Sequence, residues 1–382
     1  MAHLDTRMQL NQDIKQGDAR YYPALSMMAS KLAYENERVI KKTVTQYWKM
    51  EYVEFYDCDN EYEKKRTTQA FMMQEKPTQG DKIIVAFRGT SAFEAEDWIT
   101  DFDFSWCKIK GLGMVHKGFI TALGLKIYSL EDDNLLGDSQ GDFPKQINYN
   151  KKDPQRLAYY TIKEKLEKII ENNERAKFIV TGHSLGGALA ILFPAILAFH
   201  GEVKLLNKLE AIYTFGQPRV GDRKFGMFMK RKLRKHNIKY YRIVYGYDIV
   251  PRVPFDNVLM MFKHFGTCIH FDSLYHGKIV EEEEIEPVEK KTFLKVYFGA
   301  LRQAIVFWMC IILGRLTAIW ELIRGFMIGF TAGPYYRKGW LLIGARIIGM
   351  ILPEFTDHNP QDYLNATLLA SEDLFKYYPT LN

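Results

Sequence analysis

The sequence predicts an α/β fold in which helices cover both faces of a mainly parallel central sheet. Strand-like apolar runs alternate with helical patterns through most of the chain, as in proteins built from βαβ units. One junction, at residues 178–192, has the pattern of a buried strand, a sharp glycine-containing turn and an apolar helix. The 382 residues, of which 47% are hydrophobic, suffice for one large domain with insertions.

The first part of the chain predicts a lead-in, a helix and an antiparallel pair of strands. Residues 1–20 are polar and are expected to precede the domain, which then occupies residues 21–382. Apolar residues in 23–44 have helical spacing. Residues 48–56 and 67–73 alternate as strands, and the charged segment between them predicts a connecting loop.

The middle of the chain supplies the central sheet and its covering helices. Buried strands are predicted at 81–90, 178–181, 209–215 and 238–245, and helices at 156–172 and 222–236. Residues 91–103, which contain Trp98, predict a short amphipathic helix. Another helix is expected to start at His116 and to run to about residue 130. Residues 132–153 are rich in Asp, Asn and Gly and predict a loop.

The turn after the strand 178–181 carries the most informative motif. Gly182-His183-Ser184-Leu185-Gly186 is G-x-S-x-G, and its strand–turn–helix setting is that of a nucleophile elbow. In such an elbow the serine lies on a strained turn that keeps its hydroxyl clear of the sheet. Gly182 and Gly186 would leave room for the crossing strand and helix. Because the motif is short, an ordinary turn with an idle serine is the alternative.

A serine nucleophile needs a histidine base and a group that orients this base. Asp248 follows a predicted strand, at the sheet edge where reactive groups collect in α/β proteins. A turn-forming aspartate is the alternative. The order Ser, Asp, His requires a later histidine, and the candidates are His264, His270, His276 and His358. His264 and His270 lie in a strand-like pattern, whereas a loop position favours His358.

Acyl transfer also requires two hydrogen-bond donors for the oxyanion. The backbone N–H of Leu185, directly after the nucleophile, would be one donor. The loop after an earlier strand should supply the other, and Gly89-Thr90 has that position. The Thr90 hydroxyl could also donate to the oxyanion. Alternatively, this hydroxyl only caps a turn.

Five blocks of the sequence together resemble the class 3, or fungal-type, triacylglycerol lipases. These blocks are residues 87–90, 116–119, 182–187, 215–221 and 248–254. Residues 21–36, 262–268 and 358–367 also resemble the plant oil-body lipases, so the resemblance covers nearly the whole chain. It implies an α/β-hydrolase fold, a triad of Ser184, Asp248 and His358, and an oxyanion hole formed by Thr90 and Leu185. Chemistry of this kind needs no metal and no organic cofactor.

The resemblance also indicates an apolar helical insertion between Asp248 and the catalytic histidine, at residues 287–352. Its stretch 293–330 is strongly apolar, but charges divide it into pieces shorter than the roughly 20 residues of a spanning helix. We therefore expect it to lie in a lipid surface beside the active site. A pair of buried helices and a membrane span are the alternatives. Trp98 and its neighbours would form the lid, again by resemblance.

Composition limits the classes of partner and the location. The net charge is +6, but the basic residues are dispersed among acidic ones without a basic–aromatic motif, so nucleic acid is not expected as a partner. Four widely spaced cysteines predict neither a metal site nor a disulfide framework. Residues 1–20 contain no apolar stretch of a secretory signal, which makes a cytosolic location the default.

Together these features predict a serine esterase that hydrolyses long-chain acylglycerols, a triacylglycerol lipase. It would act at the cytosolic side of a lipid droplet or membrane surface, through peripheral or monotopic association. A phospholipase A1 or galactolipase of the same fold is one alternative, because the pocket and the lid decide the head group. A non-catalytic lipid-droplet scaffold is another, although it would not need the three triad residues. Chain-length preference and oligomeric state stay open.

Overall fold

The computed structural model describes residues 7–60, 65–76, 80–90, 106–125, 145, 156–254, 262–280 and 357–376, and isolated positions between 301 and 327. Its strands are β1 (Glu51–Asn60), β2 (Lys65–Gln74), β3 (Lys82–Phe87), β4 (Trp106–Ile109), β5 (Gly113–His116), β6 (Lys177–His183), β7 (Leu209–Phe215), β8 (Lys239–Tyr245), β9 (Thr267–Phe271) and β10 (Gly277–Val280). Its helices are Tyr21–Leu32, Glu37–Lys42, Lys117–Ala122, Ala158–Asn172, Leu185–Phe199, Val203–Lys208, Arg223–Lys235, Pro360–Leu369 and Asp373–Lys376.

The predicted α/β architecture with a mainly parallel sheet is confirmed. The central sheet has the strand order β1-β2-β3-β6-β7-β8-β9-β10. All pairings from β3 through β9 are parallel, and the antiparallel pairings lie at the two sides of the sheet. The carboxyl ends of the parallel strands therefore share one edge, which is where ligands and reactive groups collect in open α/β sheets.

Helices cover the sheet on both faces, as the buried strands require. Alternate residues of β6 belong to two different apolar clusters, with Phe178 and Val180 in one and Ile179 in the other. The first cluster includes the helices Ala158–Asn172 and Leu185–Phe199. The second includes the helix Tyr21–Leu32 and the helix Pro360–Leu369, which we call the histidine helix because it begins two residues after His358.

Two local expectations differ from the structure. The helical pattern over 23–44 forms two helices, because Asn36 accepts a hydrogen bond from the backbone N–H of Val39 and caps a new helix there. The first two strands also extend into the segment predicted as their connecting loop. Its polar residues find cross-strand partners, such as Arg66 opposite Asp59.

Several expectations concern residues outside the described ranges. The predicted amphipathic helix at 91–103, the loop at 132–153 and most of the insertion at 287–352 lie there. The helix predicted to run from His116 to about residue 130 is shorter in the structure. It covers Lys117–Ala122 and ends before Gly124, where φ is 84°. Residues 126–130 lie outside the described ranges.

Buried His116 gives the fold a testable pH dependence. Its ring stacks on Phe119 with a centroid distance of 4.2 Å, and burial lowers its pKa to about 3. Below the ordinary histidine pKa of about 6.5, the unfolded chain binds a proton that the folded chain does not bind. The free energy of unfolding should therefore fall by about 1.4 kcal/mol per pH unit between about pH 6 and pH 4 on account of this residue.

Replacing His116 with glutamine should remove that contribution to the slope. The measurement is the free energy of unfolding in urea, determined at several pH values between about 6 and 4. His276→Asn is the matched control, because the His276 side chain is exposed. Equal slopes for the two variants would show that His116 does not contribute.

Candidate active site

Ser184 lies on a strained turn between β6 and the helix Leu185–Phe199, which we call the elbow helix. Its backbone has φ 59° and ψ −131°, a conformation that a residue with a side chain rarely adopts. The turn is held by two backbone hydrogen bonds: Ser184 N–H donates to Phe215 O, and Gly187 N–H donates to Ser184 O, both at 2.9 Å. The structure thus has the geometry that the G-x-S-x-G motif predicts.

The two flanking glycines are required by close backbone contacts. A Cβ atom on Gly182 would collide with the backbone of Gly186. A Cβ atom on Gly186 would collide with the carbonyl oxygen of Phe87, at the end of β3. The strand, the elbow helix and β3 can therefore meet at this point only with glycine at both positions.

Asp248 and His358, which are 110 residues apart in sequence, form a buried hydrogen bond. His358 Nδ1 donates to Asp248 Oδ2 at 2.7 Å, and the second carboxylate oxygen accepts the backbone N–H of Val250 at 2.9 Å. A donating Nδ1 leaves the lone pair on Nε2. Within the described residues, Nε2 of His358 has no hydrogen-bond partner, so it is available to a hydroxyl or a substrate.

The backbone around Phe215 and Gly216 brings the serine and the histidine to the same place. Phe215 O accepts the N–H of Ser184, as described above. Gly216 is the next residue, and a Cβ atom there would lie 2.8 Å from His358 Cε1 and 3.0 Å from Asp248 Oδ2. The carboxyl end of β7 thus lies between the elbow and the Asp248–His358 pair. Ser184, Asp248 and His358 converge at one edge of the sheet.

The predicted oxyanion donors lie on the other side of the elbow. Leu185 begins the elbow helix, and the first N–H groups of a helix have no partner within it. A Cβ atom on Gly89 would lie 3.1 Å from Ser184 Cβ, so the segment that carries half-buried Thr90 runs beside the nucleophile. The end of β3 and the start of the elbow helix therefore flank the position of the serine hydroxyl.

The other histidines near the elbow have local structural partners. Nδ1 of His183 lies 2.8 Å from the hydroxyl oxygen of Tyr34. Burial, and after it the electrostatic effect of nearby His358, holds the pKa of His183 well below the usual value. Nε2 of His264 and Nε2 of His270 contact the carbonyl oxygens of Pro251 and Gly246. These contacts agree with the structural role expected for His264 and His270.

Two residues beside the triad had no assigned role in the sequence. The Tyr363 hydroxyl, on the histidine helix, donates to Asp248 Oδ2. Burial and the adjacent Asp248 raise the pKa of Tyr363 well above its usual value, so the hydroxyl stays protonated and can donate. Asp357 Oδ2 accepts the N–H of Tyr247 at 2.8 Å and joins the loop before His358 to the loop before Asp248. No local sequence signal marks either contact.

The side chains in the described ranges offer no arrangement for a metal ion. No group of three or more His, Cys, Asp or Glu residues there is placed to hold one. The polar groups at this edge of the sheet are a serine hydroxyl, an imidazole bonded to a carboxylate, and backbone N–H groups at the start of a helix. This combination suits acyl transfer.

Comparison with known proteins identifies relatives over most of the chain. Residues 84–258 match the family model Lipase (class 3). The chain is 41% identical over 390 residues to Triacylglycerol lipase OBL1 of Nicotiana tabacum, and 40% identical over 355 residues to Triacylglycerol lipase OBL1 of Arabidopsis thaliana. Each match covers 91% of this chain and 65% of the relative, so the chain spans just under two thirds of the length of these plant proteins.

A shorter match extends to fungi. The chain is 31% identical over 175 residues to a lipase of Rhizomucor miehei, with 45% of this chain and 37% of that protein covered. The family-model match begins within β3 and includes the elbow and Asp248, while the plant matches extend over most of the chain. The resemblance noted in the sequence is therefore confirmed: the chain matches the class 3 lipase family and is similar to plant triacylglycerol lipases over most of its length.

Proposed function

We propose that this chain is a triacylglycerol lipase that hydrolyses long-chain acylglycerol esters through Ser184, His358 and Asp248. The observation that carries the proposal is the convergence of the strained serine elbow with the 2.7 Å bond between His358 Nδ1 and Asp248 Oδ2. The names of the plant relatives give the substrate class, since both are triacylglycerol lipases.

The reaction proceeds through an acyl-enzyme. Ser184 Oγ attacks the ester carbonyl carbon while its proton passes to His358 Nε2. The bond between the carbonyl carbon and the glycerol oxygen then breaks, and His358 returns the proton to that oxygen. A water molecule, deprotonated by His358, then attacks the carbonyl carbon of the acyl-enzyme. The bond from that carbon to Ser184 Oγ breaks, His358 returns the proton to Oγ, and the fatty acid leaves. Asp248 keeps the imidazole in the tautomer that leaves Nε2 free to accept.

The developing negative charge needs fixed donors. The N–H of Leu185 and the Thr90 segment lie beside the nucleophile, as the contacts of Ser184 and Gly89 indicate. Donors that are already in place cost no reorganisation during the reaction, and the dipole of the elbow helix adds to their effect. Leu185 and Thr90 therefore form the oxyanion hole in this proposal.

The lipid-facing part of the proposal rests on the described positions of the insertion. Exposed apolar residues there recur at spacings of three, four or seven, which places them on one face of a helix. They include Leu301, Ile305, Trp308, Ile312, Ile319, Ile323 and Met327. Trp308 is 62% exposed and Met327 57%.

Among the described residues, no helix is both long and apolar enough to cross a membrane. In this proposal the apolar face lies in the surface of a lipid droplet, through peripheral or monotopic association.

Removing part of the apolar face should weaken activity on droplets more than activity in solution. The double variant Ile323→Ser/Met327→Ser is expected to lose about tenfold or more in hydrolysis of emulsified long-chain triacylglycerol, because burial of each side chain in lipid contributes about 1.5–3 kcal/mol. The loss on a soluble short-chain ester should be at least about fivefold smaller. Flotation of the protein with the droplets measures binding directly.

Met227→Ser is the matched control for this variant. Met227 is an exposed methionine on the helix Arg223–Lys235 and is not part of the apolar face. Its substitution should change neither flotation nor the ratio of the two activities. Equal losses of emulsion and soluble activity in the double variant would contradict the surface role.

The substrate class is tested by fatty-acid release from two lipids. Emulsified long-chain triacylglycerol and vesicles of phosphatidylcholine are compared, with the Ser184→Ala protein as background. Release that comes mainly from the emulsion supports the proposal. Release mainly from the vesicles would make the chain a phospholipase with the same triad. Absence of release, together with no labelling of Ser184 by a fluorophosphonate, would favour a scaffold.

A further inference from the structure

Arg324 is a buried cation in the exposed apolar segment. Its side chain is 1% exposed, whereas its neighbour Ile323 is 48% exposed. A guanidinium group strongly resists removal from water unless charged and polar partners replace its hydration. The buried guanidinium group of Arg324 must therefore have polar partners around it.

Within the described residues, the partners of Arg324 lie on β8, on the segment between β9 and β10, and on the histidine helix. Nη1 donates to the Tyr245 hydroxyl at 2.9 Å, and Nη2 donates to the Tyr275 hydroxyl at 3.4 Å. The guanidinium carbon lies 4.7 Å from the centre of the Tyr275 ring. Nη2 is also 3.8 Å from Asp362 Oδ1, and the Tyr275 hydroxyl donates to the same oxygen at 2.8 Å. We call Arg324, Tyr245, Tyr275 and Asp362 the arginine cluster.

Two sets of contacts connect the arginine cluster to the triad. Tyr245 is the last residue of β8, three residues before Asp248, and its N–H lies 3.3 Å from the hydroxyl of Tyr363. Tyr363 in turn donates to Asp248. Asp362, next to Tyr363, lies in the first turn of the histidine helix. One buried side chain thus contacts the strand before the aspartate and the helix after the histidine.

We infer that Arg324 is a positioning residue of the triad and that it ties the apolar segment to the Asp248–His358 pair. Its charge and its two hydrogen bonds hold β8 and the histidine helix in register, so that Tyr363 meets Asp248 and His358 keeps its orientation. The lipid-facing segment and the catalytic pair then share one buried cluster. The inference rests on the proposed hydrolase function and names a residue outside the triad on which its rate depends.

Arg324→Met tests this inference in the full-length chain. Methionine keeps an unbranched side chain and removes the charge and the donors. With a soluble short-chain ester, kcat per fluorophosphonate-titrated site should fall about tenfold or more, because small displacements of reacting groups are costly, while KM changes little. A soluble substrate removes lipid binding from the readout, and titration counts only folded sites.

A double-mutant cycle separates positioning from a general structural role. If Arg324 acts through Tyr363 and Asp248, the combination Arg324→Met/Tyr363→Phe should lower kcat no further than the more damaging single variant. Effects that multiply would overturn the inference. Arg38→Met, an exposed arginine on the helix Glu37–Lys42, is the control and should keep the wild-type kcat.

A second variant covers the case in which Arg324→Met does not fold. Tyr275→Phe removes only the hydroxyl at which Arg324, Asp362 and Asn365 meet, and it should lower kcat in the same direction. An unchanged kcat in Tyr275→Phe would then overturn the inference. Hydrolysis that persists in Ser184→Ala would instead refute the proposed function, so the two failures are distinguishable.

Discussion

Replacing Ser184 with alanine is expected to lower kcat for ester hydrolysis by about 10⁴- to 10⁶-fold. In the proposed mechanism the hydroxyl forms the acyl-enzyme, and no other described side chain at the elbow can take its place. Alanine has the same conformational cost as serine at φ 59°, and the two backbone hydrogen bonds of the turn remain. The loss should therefore come from the chemistry and not from the fold.

The measurement is release of a chromogenic alcohol from a soluble short-chain ester, with the melting temperature determined in parallel. The variant should melt within a few degrees of the wild type and should no longer react with a fluorophosphonate. A residual rate within about tenfold of the wild type would rule out Ser184 as the nucleophile.

Asp248→Asn is expected to have the second-largest effect, a loss of about 10³- to 10⁴-fold in kcat. Asp248 Oδ2 accepts hydrogen bonds from His358 Nδ1 and from the Tyr363 hydroxyl, and Oδ1 accepts the N–H of Val250. An asparagine has only one oxygen for these three donors, and its NH₂ group would face one of them. The imidazole is then driven to the tautomer that protonates Nε2, which cannot accept the serine proton.

The same soluble-ester assay measures this loss, and Asp222→Asn provides its matched control. Asp222 is also a buried aspartate that accepts backbone N–H groups, but it caps the helix Arg223–Lys235. Its substitution should leave kcat within about threefold of the wild type, because an asparagine is also a good helix N-cap. Similar losses for both aspartates would indicate a general effect of buried charge and would remove the specific role of Asp248.

Contacts from several elements of the fold surround the loop that carries His358. Asp357 accepts the N–H of Tyr247, and Tyr363 donates to Asp248 from the following helix. Arg324 contacts Asp362 and Tyr245 from the apolar segment. In the proposed mechanism His358 moves a proton in two successive steps and needs a fixed orientation, which these contacts help to maintain.

The parts of the fold that depend on local pattern were predictable from the sequence. β7 has the predicted boundaries, and the ends of β3, β6 and β8 lie within two residues of the predicted ones, because buried strands are continuous apolar runs. The exception is the carboxyl end of β3, which stops at Phe87, three residues before the predicted end. The elbow was also predictable, because its strand, turn and helix are contiguous in the sequence. The break before Glu37 was missed because a single capping residue, Asn36, outweighs the helical spacing around it.

The sequence by itself determined the central sheet, the serine elbow and the family, because each is encoded in short contiguous stretches. Only the tertiary structure joined His358 to Asp248 across 110 residues and put Tyr363 and Arg324 beside them. In the sequence, His358 was one of several candidate histidines, and the resemblance favoured it. Such contacts depend on how β8, the histidine helix and the apolar segment pack, and packing leaves no periodic signal in the chain.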